Sequence, residues 1–234
     1  DDISCNLISL DIFFICLPKK IVEYFKNKFF KLDISINQIF CSSYAKSINY
    51  IDNFSLIENI SFIDIGFNKT SMICYNKNEV IFLDVLPIGG NHITKDISKI
   101  LKIDFHEAEN LKLSFGKNQE VLNKMNISTT LIQQIIIARI EEILELSAKS
   151  IELNLLNLKH FKIVLMGEGS KILNNEFKEN ISLLNDIDLI EETSADIYKS
   201  VLKLAGGLNK QEVKLIPKKS IKQGFFESLF HFFT

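Results

Sequence analysis

Three short apolar runs, separated by turn signals, form the most regular pattern in the chain. The first run is followed by Gly66 and the third by the pair Gly89-Gly90. Apolar runs of this length between turn residues are typical of buried strands. The pattern therefore predicts a three-stranded meander whose first and third strands end in glycine turns at the same edge. The runs span Phe62–Ile65, Ser71–Tyr75 and Val80–Leu86.

Helical and alternating periodicities predict the remaining elements. Asp104, with Glu107 three residues later, forms a predicted capping box, and Ser128 precedes the longest helix. The order of strands and helices predicts an α/β fold with a mixed sheet and helices on both faces. Predicted helices span Lys19–Phe30, Ser42–Ile51, His92–Leu101, Asp104–Lys112, Thr129 to about Leu155 and Ala195–Ala205, the last one closed by Gly206-Gly207. Cys5–Leu17 is β-rich, strands are predicted at Leu32–Phe40, Phe161–Met166 and Ile187–Ile190, a hairpin or loop at Gly116–Asn126, and a linker at Asn209–Ser220.

Composition excludes several classes of protein. The 234 residues carry a net charge of −2, which gives no global signal for nucleic-acid binding. The four cysteines form no CxxC pair and are expected to be reduced and mostly buried. No apolar run reaches the ~18 residues that a membrane-spanning helix needs. The four histidines lack metal-ligand spacing, and the sequence contains neither a GxxxxGK[ST] loop nor an arguable Ser/His/Asp arrangement.

Three motifs carry a specific resemblance. They are Asp64-Ile65-Gly66-x-x-x-Thr70, Pro87-Ile88-Gly89-Gly90-Asn91-x-Ile93-Thr94-x-Asp96-Ile97, and Ala108-Glu109-x-x-Lys112. In this order they resemble FtsA, the bacterial cell-division family of the actin/Hsp70 ATPase superfamily. The resemblance implies an actin-like (RNase-H-type) ATPase domain. The sequence begins Asp-Asp-Ile-Ser-Cys without an initiator Met, and we expect the family's first phosphate loop to lie upstream of it.

The resemblance implies a nucleotide site for ATP and Mg²⁺ made from three segments. Backbone N–H groups in glycine turns at a helix start suit phosphate, and an i,i+3 acid–base pair suits ribose and its phosphate. The structural alternatives are an ordinary strand turn and an ordinary surface ion pair. The implied nucleotide-binding residues are Asp64, Gly66, Thr70, Gly89, Gly90, Glu109, Lys112, Gly167, Gly169 and Ser170, with Asp64 near the metal.

Three residues depart from the family's glycine pattern. Phe67 and Asn68 replace two glycines of the first loop, and Glu168 separates Gly167 from Gly169. Side chains at these positions obstruct the close approach of a ligand to the backbone. We therefore expect weak nucleotide binding by this chain alone, and at most a weak ATPase. Catalytic residues are not assigned.

The resemblance also implies a division into subdomains. Residues 1–32 correspond to a partial 1C-like subdomain and 33–59 to the return segment of subdomain 1A. Residues 60–101 and 161–208 correspond to subdomain 2A, and 102–160 to an inserted 2B-like subdomain. The linker covers 209–220, and 221–234 forms a C-terminal helix.

The last segment is predicted to be an amphipathic helix that lies on a membrane surface. Its apolar residues form one wide face at helical spacing, and Lys218, Lys219 and Lys222 lie where they can meet anionic headgroups. The segment is too short to span a bilayer, so we expect it to lie in the interface; packing back on its own domain is the alternative. The predicted membrane-binding residues are Ile221, Phe225, Phe226, Leu229, Phe230, Phe232 and Phe233.

The resemblance, together with the C-terminal segment, implies a structural adaptor that tethers polymers of the tubulin-like protein FtsZ to the inner membrane. The resemblance implies self-polymerisation, contact with other divisome proteins and a place on the cytoplasmic face at midcell. Arg139, the only arginine, resembles a family residue near the groove for the FtsZ tail; pairing with Glu142 or Glu145 is the alternative. The sequence is also compatible with a PilM-like adaptor of type IV pilus assembly, with a small-molecule kinase of the same superfamily, and with a degenerate actin-like domain without nucleotide activity.

Overall fold

A five-stranded mixed sheet with helices on both faces forms the centre of the molecule. The computed structural model describes residues 12–115, 128–156, 158, 160–173 and 187–210, the last four without their side chains. The strands are β1 (Asn59–Ile65), β2 (Thr70–Asn76), β3 (Glu79–Leu86), β4 (Lys162–Met166) and β5 (Ile187–Leu189). The helices are α1 (Lys19–Phe30), α2 (Ser42–Tyr50), α3 (Gly90–Leu101), α4 (Phe105–Ser114), α5 (Thr129–Asn154) and α6 (Ser194–Lys210), with 3-10 turns at Ile51–Phe54 and Glu168–Ile172.

The strand order β3-β2-β1-β4-β5 brings distant parts of the chain to one sheet edge. Strands β1, β2 and β3 form the predicted antiparallel meander, whereas β4 pairs with β1 in parallel and β5 pairs with β4 in parallel. Asp64 lies opposite Met166 in the β1–β4 register. Because parallel strands end at the same edge, the turns after β1 and β4 are neighbours although about a hundred residues separate them.

Strand alternation divides the core into two layers. Ile63 and Ile65 of β1 face α3, α4 and α5, whereas Ile60 and Phe62 face α2 and the following 3-10 turn. Asp64 shares the parity of Ile60 and Phe62, so its side chain lies on the α2 face. Helix α6 packs against α2. The ammonium of Lys203 on α6 donates to the Ile48 carbonyl at 2.8 Å, which helps to hold the two helices together.

The mixed α/β architecture is confirmed, and most predicted elements occur within two residues of their expected bounds. Asp104 caps α4 by accepting from the N–H groups of His106 and Glu107. Ser128 caps α5 by accepting from Leu131 N–H. These caps satisfy backbone donors that the first turn of a helix leaves without an intrahelical partner.

The predicted strand at Leu32–Phe40 is wrong, and so is the predicted end of the last helix. Leu32–Phe40 forms no strand, and the described part of Cys5–Leu17, from Ile12 onward, is irregular. A strand needs a neighbour for its backbone hydrogen bonds, and the described residues supply none beside these segments. The last helix continues through Gly206-Gly207 to Lys210, since a helical glycine costs only about 1 kcal/mol. The predicted loop at 116–126, the linker beyond Lys210 and the segment 221–233 lie outside the described residues.

The cysteine prediction is correct in part. Cys74 is fully buried in the core beneath α5, and burial raises the pKa of its thiol to about 11. Cys41 is half-buried, but Cys16 is exposed because it lies in the irregular segment before α1. These three thiols are free. Among the helices formed by the described residues, none is long and apolar enough to cross a bilayer.

Candidate functional site

A cavity of about 360 Å³ lies where the turns after β1 and β4 meet the start of α3 and the side of α4. Its volume falls within the range of small-molecule sites, which are concave, mostly apolar and equipped with a few polar groups. Five residues that the sequence implied for nucleotide binding line it: Gly66, Gly90, Glu109, Lys112 and Gly169. The other lining residues are Phe67, Ile93, Leu113, Phe115, Glu168, Lys171 and Ile172.

Glu109 and Lys112 form a polar cluster at one wall of this cavity. The Lys112 ammonium donates to Glu109 Oε2 at 2.7 Å, to Thr94 Oγ1 at 2.8 Å and to the Gly90 carbonyl at 3.2 Å. The Thr94 hydroxyl also donates to Glu109. Lys112 is buried, whereas the Glu109 side chain keeps about a quarter of its surface exposed (24%). The arrangement fixes a carboxylate and an ammonium beside an open cavity, where they can meet hydroxyl and phosphate groups.

The first loop and the start of α3 are joined by backbone hydrogen bonds. Gly90 N–H donates to the Gly66 carbonyl at 2.9 Å, and Asn91 N–H donates to the Phe67 carbonyl at 2.7 Å. A Cβ on Gly89 would lie 2.5 Å from the Gly66 oxygen, so only glycine fits there. These contacts use α3 donors that the sequence analysis offered to phosphate. Gly89 therefore serves the packing of the two loops and does not line the cavity.

The turn after β4 also requires its glycines for internal packing. Gly167 has a φ of +95°, and a Cβ there would lie 2.2 Å from Asp64 Oδ1. A Cβ on Gly169 would lie 2.6 Å from Ile65 Cγ2. Ser170 is buried and donates to the Gly167 carbonyl at 2.8 Å. Of these three residues only Gly169 reaches the cavity wall.

Two of the three residues that depart from the family pattern, Phe67 and Glu168, line the cavity, and none of the three has a strained backbone. Neither Phe67 nor Asn68 has a positive φ, so the loop conformation does not demand glycine at these positions. The Phe67 side chain is 54% exposed. The Asn68 amide oxygen accepts from Asn91 Nδ2 at 2.8 Å, which adds a side-chain link between the two loops. Glu168 accepts from Lys171 at 2.6 Å.

Asp64 lies away from the cavity in a closed ionic cluster. The Ser43 hydroxyl donates to Asp64 Oδ2 at 2.7 Å, and the Lys46 ammonium donates to Asp64 Oδ1 at 2.7 Å. The same ammonium donates to Glu192 Oε2 at 3.0 Å. That carboxylate oxygen also accepts from Gly167 N–H at 3.0 Å. We call Ser43, Lys46, Asp64 and Glu192 the Lys46 cluster; all four residues are buried.

Glu192 is the least satisfied member of the Lys46 cluster. Its Oε1 is buried and has no hydrogen-bond partner within the described ranges of the chain. Desolvation by burial raises the pKa of its carboxyl above the ordinary value, against the opposing effects of Lys46 and of Gly167 N–H. A single ammonium here faces two carboxylates, so burial favours the protonated form of one of them.

The Lys46 cluster does not fit Mg²⁺, which the resemblance places near Asp64. Mg²⁺ requires octahedral oxygen ligands at about 2.0–2.1 Å and usually keeps several waters. The Asp64 oxygens are occupied by Ser43 and Lys46, and the Gly167 backbone packs against them. Within the described residues no group of three His, Cys, Asp or Glu side chains is arranged to hold a metal ion.

The structure thus separates the ten implied residues into two sets. Five line the cavity, and five support the surrounding loops: Asp64, Thr70, Gly89, Gly167 and Ser170. Sequence reasoning missed Lys46 and Glu192, which lie 18 and 128 residues from Asp64. Lys46 and Ser43 are three residues apart on α2, so they share a helix face; that spacing is the one local signal that was available.

Arg139 lies on α5, far in sequence from the residues that line the cavity. Its guanidinium pairs with carboxylates of the same chain. Its Nε donates to Asp96 Oδ2 of α3 at 2.6 Å, and Nη1 pairs with Glu142. The side chain is about a quarter exposed (23%). The structure thus contains one of the two pairings that the sequence analysis offered as the alternative to a partner site.

Comparisons with known proteins agree on family and fold. The sequence profile of the family described as "Cell division protein FtsA" matches residues 61–206. Cell division protein FtsA of Buchnera aphidicola (from Acyrthosiphon pisum) is 25% identical over 233 residues, covering 86% of this chain and 55% of that protein. FtsA of Helicobacter pylori strain 26695 is 25% identical over 118 residues, covering 50% of this chain and 24% of that protein.

Solved structures with the same fold are actin-like proteins. MreB 5 of Spiroplasma citri bound to AMPPNP superposes with a TM-score of 0.62 at 16% identity, covering 83% of this chain and 66% of that one. The PilM–PilN type IV pilus biogenesis complex gives a TM-score of 0.53 at 16% identity, covering 71% and 45%. At this identity the similarity concerns the fold alone, and it confirms the actin-like prediction.

The lengths of the matched segments determine which conclusions the comparisons support. The chain spans between about a quarter and about half of the length of the FtsA proteins of Helicobacter pylori and Buchnera aphidicola. The family profile, however, covers well over half of this chain and includes all three motifs, from Asp64 to Lys112, together with the Gly167 turn. The chain therefore belongs to the FtsA family of cell division proteins.

Proposed function

We propose that this chain is part of an FtsA-like adaptor that binds a nucleotide in the 360 Å³ cavity and holds FtsZ polymers at the inner membrane. The observation that carries the proposal is the convergence of three separate motifs on one cavity. Gly66, Gly90 and Gly169 come from three loops, yet all line the same space beside Glu109 and Lys112. An actin-like relative of the same fold, MreB 5, is described as bound to AMPPNP.

The cavity lining suits a nucleoside better than a bare phosphate. Leu113 and Phe115 offer apolar surface for a base, and Glu109 offers a carboxylate for ribose hydroxyls. Lys112 and Lys171 supply positive charge in the lining for a phosphate, and Lys112 is paired with Glu109. The α3 N–H groups of Gly90 and Asn91 are already bonded to the first loop, which supports weak binding and at most a weak ATPase activity.

A side chain at Gly90 provides a direct test. A Cβ there would meet Gly169 Cα, the Gly66 oxygen and Lys112 Nζ at 3.7–3.9 Å, which is ordinary contact distance. Gly90→Leu should therefore fold but fill the cavity and abolish ATP binding in a calorimetric titration. The matched control is Gly206→Leu, because a Cβ at that position would have no atom of the described residues within 4 Å beyond its own helix backbone. Equal binding by both variants would contradict the cavity as the nucleotide site.

The subdomain division accompanies this proposal. We assign residues 60–101 and 161–208 to a 2A-like subdomain, since together they supply all five strands. Residues 102–160, which contain α4 and α5, form the 2B-like insertion, and 1–32 and 33–59 the partial 1C-like and 1A-like segments. The actin-like fold supports self-polymerisation and contact with other division proteins.

The membrane tether rests on the sequence of 221–233. Its apolar face and the preceding lysines favour the interface of anionic membranes on the cytoplasmic side, at midcell in a dividing cell. The intact chain should sediment with anionic liposomes, whereas a chain ending at Lys219 or carrying Phe226→Glu and Phe230→Glu should remain in the supernatant. Failure of the intact chain to sediment would favour the PilM-like adaptor.

The FtsZ tail is the proposed partner of the α5 surface. Arg139 can offer a carboxylate-bearing peptide its guanidinium in exchange for Glu142, which is about half exposed (47%). Arg139→Ala should weaken binding of an FtsZ tail peptide in a fluorescence polarisation assay. Lys149→Ala, which removes an exposed cation from the same helix, is the control and should leave binding unchanged.

A further inference from the structure

The Lys46 cluster surrounds one buried cation with two carboxylates from distant parts of the chain. The Lys46 ammonium lies 2.7 Å from Asp64 Oδ1 and 3.0 Å from Glu192 Oε2. Asp64 ends β1 and Glu192 precedes α6, so the ammonium joins the sheet edge to the last helix. Carboxylate oxygens converging on one point are the arrangement that proteins use to hold a hard cation.

The ammonium can balance only one of the two carboxyl groups in its ionised form. Both groups lie within hydrogen-bond distance of it, and Glu192 Oε1 is buried and finds no hydrogen-bond partner among the described residues. A divalent ion would neutralise both carboxylates, but the side chain of Lys46 fills the position from which it would do so. Removing the ammonium would leave two buried carboxylates that strongly favour a replacement cation.

The cluster also controls one wall of the cavity through the turn after β4. Glu192 Oε2 accepts from Gly167 N–H at 3.0 Å, and Asp64 Oδ1 occupies the space where a Cβ on Gly167 would lie. Two residues later Gly169 lines the cavity. The two carboxylates therefore position this turn from the side of the sheet opposite α3 and α4.

We propose that Lys46 is a resident cation that replaces a divalent metal at Asp64, so that the cavity takes its nucleotide without Mg²⁺. The first half of this proposal, that Lys46 replaces a divalent metal, is supported by the contacts within the Lys46 cluster. The second half rests on the proposed nucleotide-binding function. Lys46 and Glu192 are then positioning residues for the Gly167 turn, because neither lines the cavity.

The first experiment measures metal binding without nucleotide. The wild-type chain and Lys46→Met are titrated with Mn²⁺ and followed by electron paramagnetic resonance. The wild type should show no saturable site, and Lys46→Met should gain one site that Mg²⁺ displaces and Asp64→Asn abolishes. Lys112→Met is the matched control: it removes the buried ammonium on the other face, which pairs with a single carboxylate, Glu109, in the described part of the chain, and it should gain no site.

The second experiment compares ATP binding by the wild type with Mg²⁺ and with a chelator. The two affinities should differ by less than about twofold, well below the tenfold change that 1.4 kcal/mol of metal coupling would give. If Lys46→Met is unfolded without metal, Mn²⁺ should restore a cooperative thermal transition, because binding to the native state stabilises it.

The outcomes separate the two proposals. A saturable Mn²⁺ site in the wild type, or none in a folded Lys46→Met, would overturn the resident-cation assignment; so would an unfolded variant that Mn²⁺ does not restore. Tenfold tighter ATP binding with Mg²⁺ would overturn the metal-independent cavity. Absence of ATP binding under both conditions would remove the nucleotide function and with it the second half, while the Mn²⁺ result would still decide the first.

Discussion

A buried lysine lies on each face of the sheet, and the two lysines differ in their access to a cavity. On the α2 face Lys46 bonds two carboxylates in a closed cluster, whereas on the α3 face Lys112 bonds one carboxylate beside an open cavity. Similar ion pairs thus surround the same sheet edge, but only one of them leaves space for a ligand. A charged residue of a family motif can therefore be assigned to ligand binding only when its side chain reaches a cavity.

The largest expected effect comes from removing the buried ammonium of the closed cluster. Lys46→Met leaves Asp64 and Glu192 buried without their cation and should lower the free energy of unfolding by about 3–5 kcal/mol. Lys112→Met should cost only about 1–3 kcal/mol, because Glu109 can turn to water in the cavity. Urea unfolding of the two variants in metal-free buffer measures both values. Equal losses would erase the contrast between the faces.

The second effect concerns the glycine that lies between the two faces. Gly167→Ala should destabilise the chain by about 1–3 kcal/mol, because Gly167 has a positive φ and a Cβ would collide with Asp64 and Ile65. Gly206→Ala, in α6, adds a Cβ that meets none of the described residues outside its own helix, and it should instead stabilise by about 0.5–1 kcal/mol. Thermal unfolding of both variants tests whether the Gly167 turn is as tightly packed as the structure shows.

The third prediction concerns the pH dependence of the stability that Glu192 contributes to the closed cluster. The raised pKa of Glu192 means that the folded state binds a proton more tightly there than the unfolded state. The stability that this group contributes is therefore present below its unfolded pKa and is lost as pH rises through its folded pKa. The difference in unfolding free energy between wild type and Glu192→Gln should fall over that interval. If the difference in unfolding free energy between the two proteins did not change with pH, the uncompensated charge would not lie on Glu192.

The smallest effect on stability is expected at the cavity mouth. Phe67→Gly removes a ring that is 54% exposed, and it should change the free energy of unfolding by less than about 1 kcal/mol. ATP binding should become tighter, because the loop backbone can approach a phosphate more closely. Calorimetry with the variant and the wild type measures this change, and weaker binding would mean that the ring contributes a contact to the ligand.

Most of the helices and strands, and the meeting of the motifs at one cavity, could be predicted from the sequence and the family resemblance. Each run of the predicted meander became a strand, and the turns after β1 and β4 met because parallel strands end at one edge. The motif residues Gly66, Gly90, Glu109 and Lys112 could be brought to one cavity from their spacing and the family resemblance. Local signals suffice for such features, since period and turn residues are properties of neighbouring positions.

Which motif residues face the cavity and which support the loops depends on tertiary contacts. Strand alternation places Asp64 on the α2 face, where Lys46 and Glu192 reach it across 18 and 128 residues of chain. The glycines at 89 and 167 serve loop packing because backbone and carboxylate atoms occupy the space beside them. Such contacts depend on how α2, the sheet and the segment before α6 pack together, and no local sequence pattern encodes that packing. Burial strengthens these contacts.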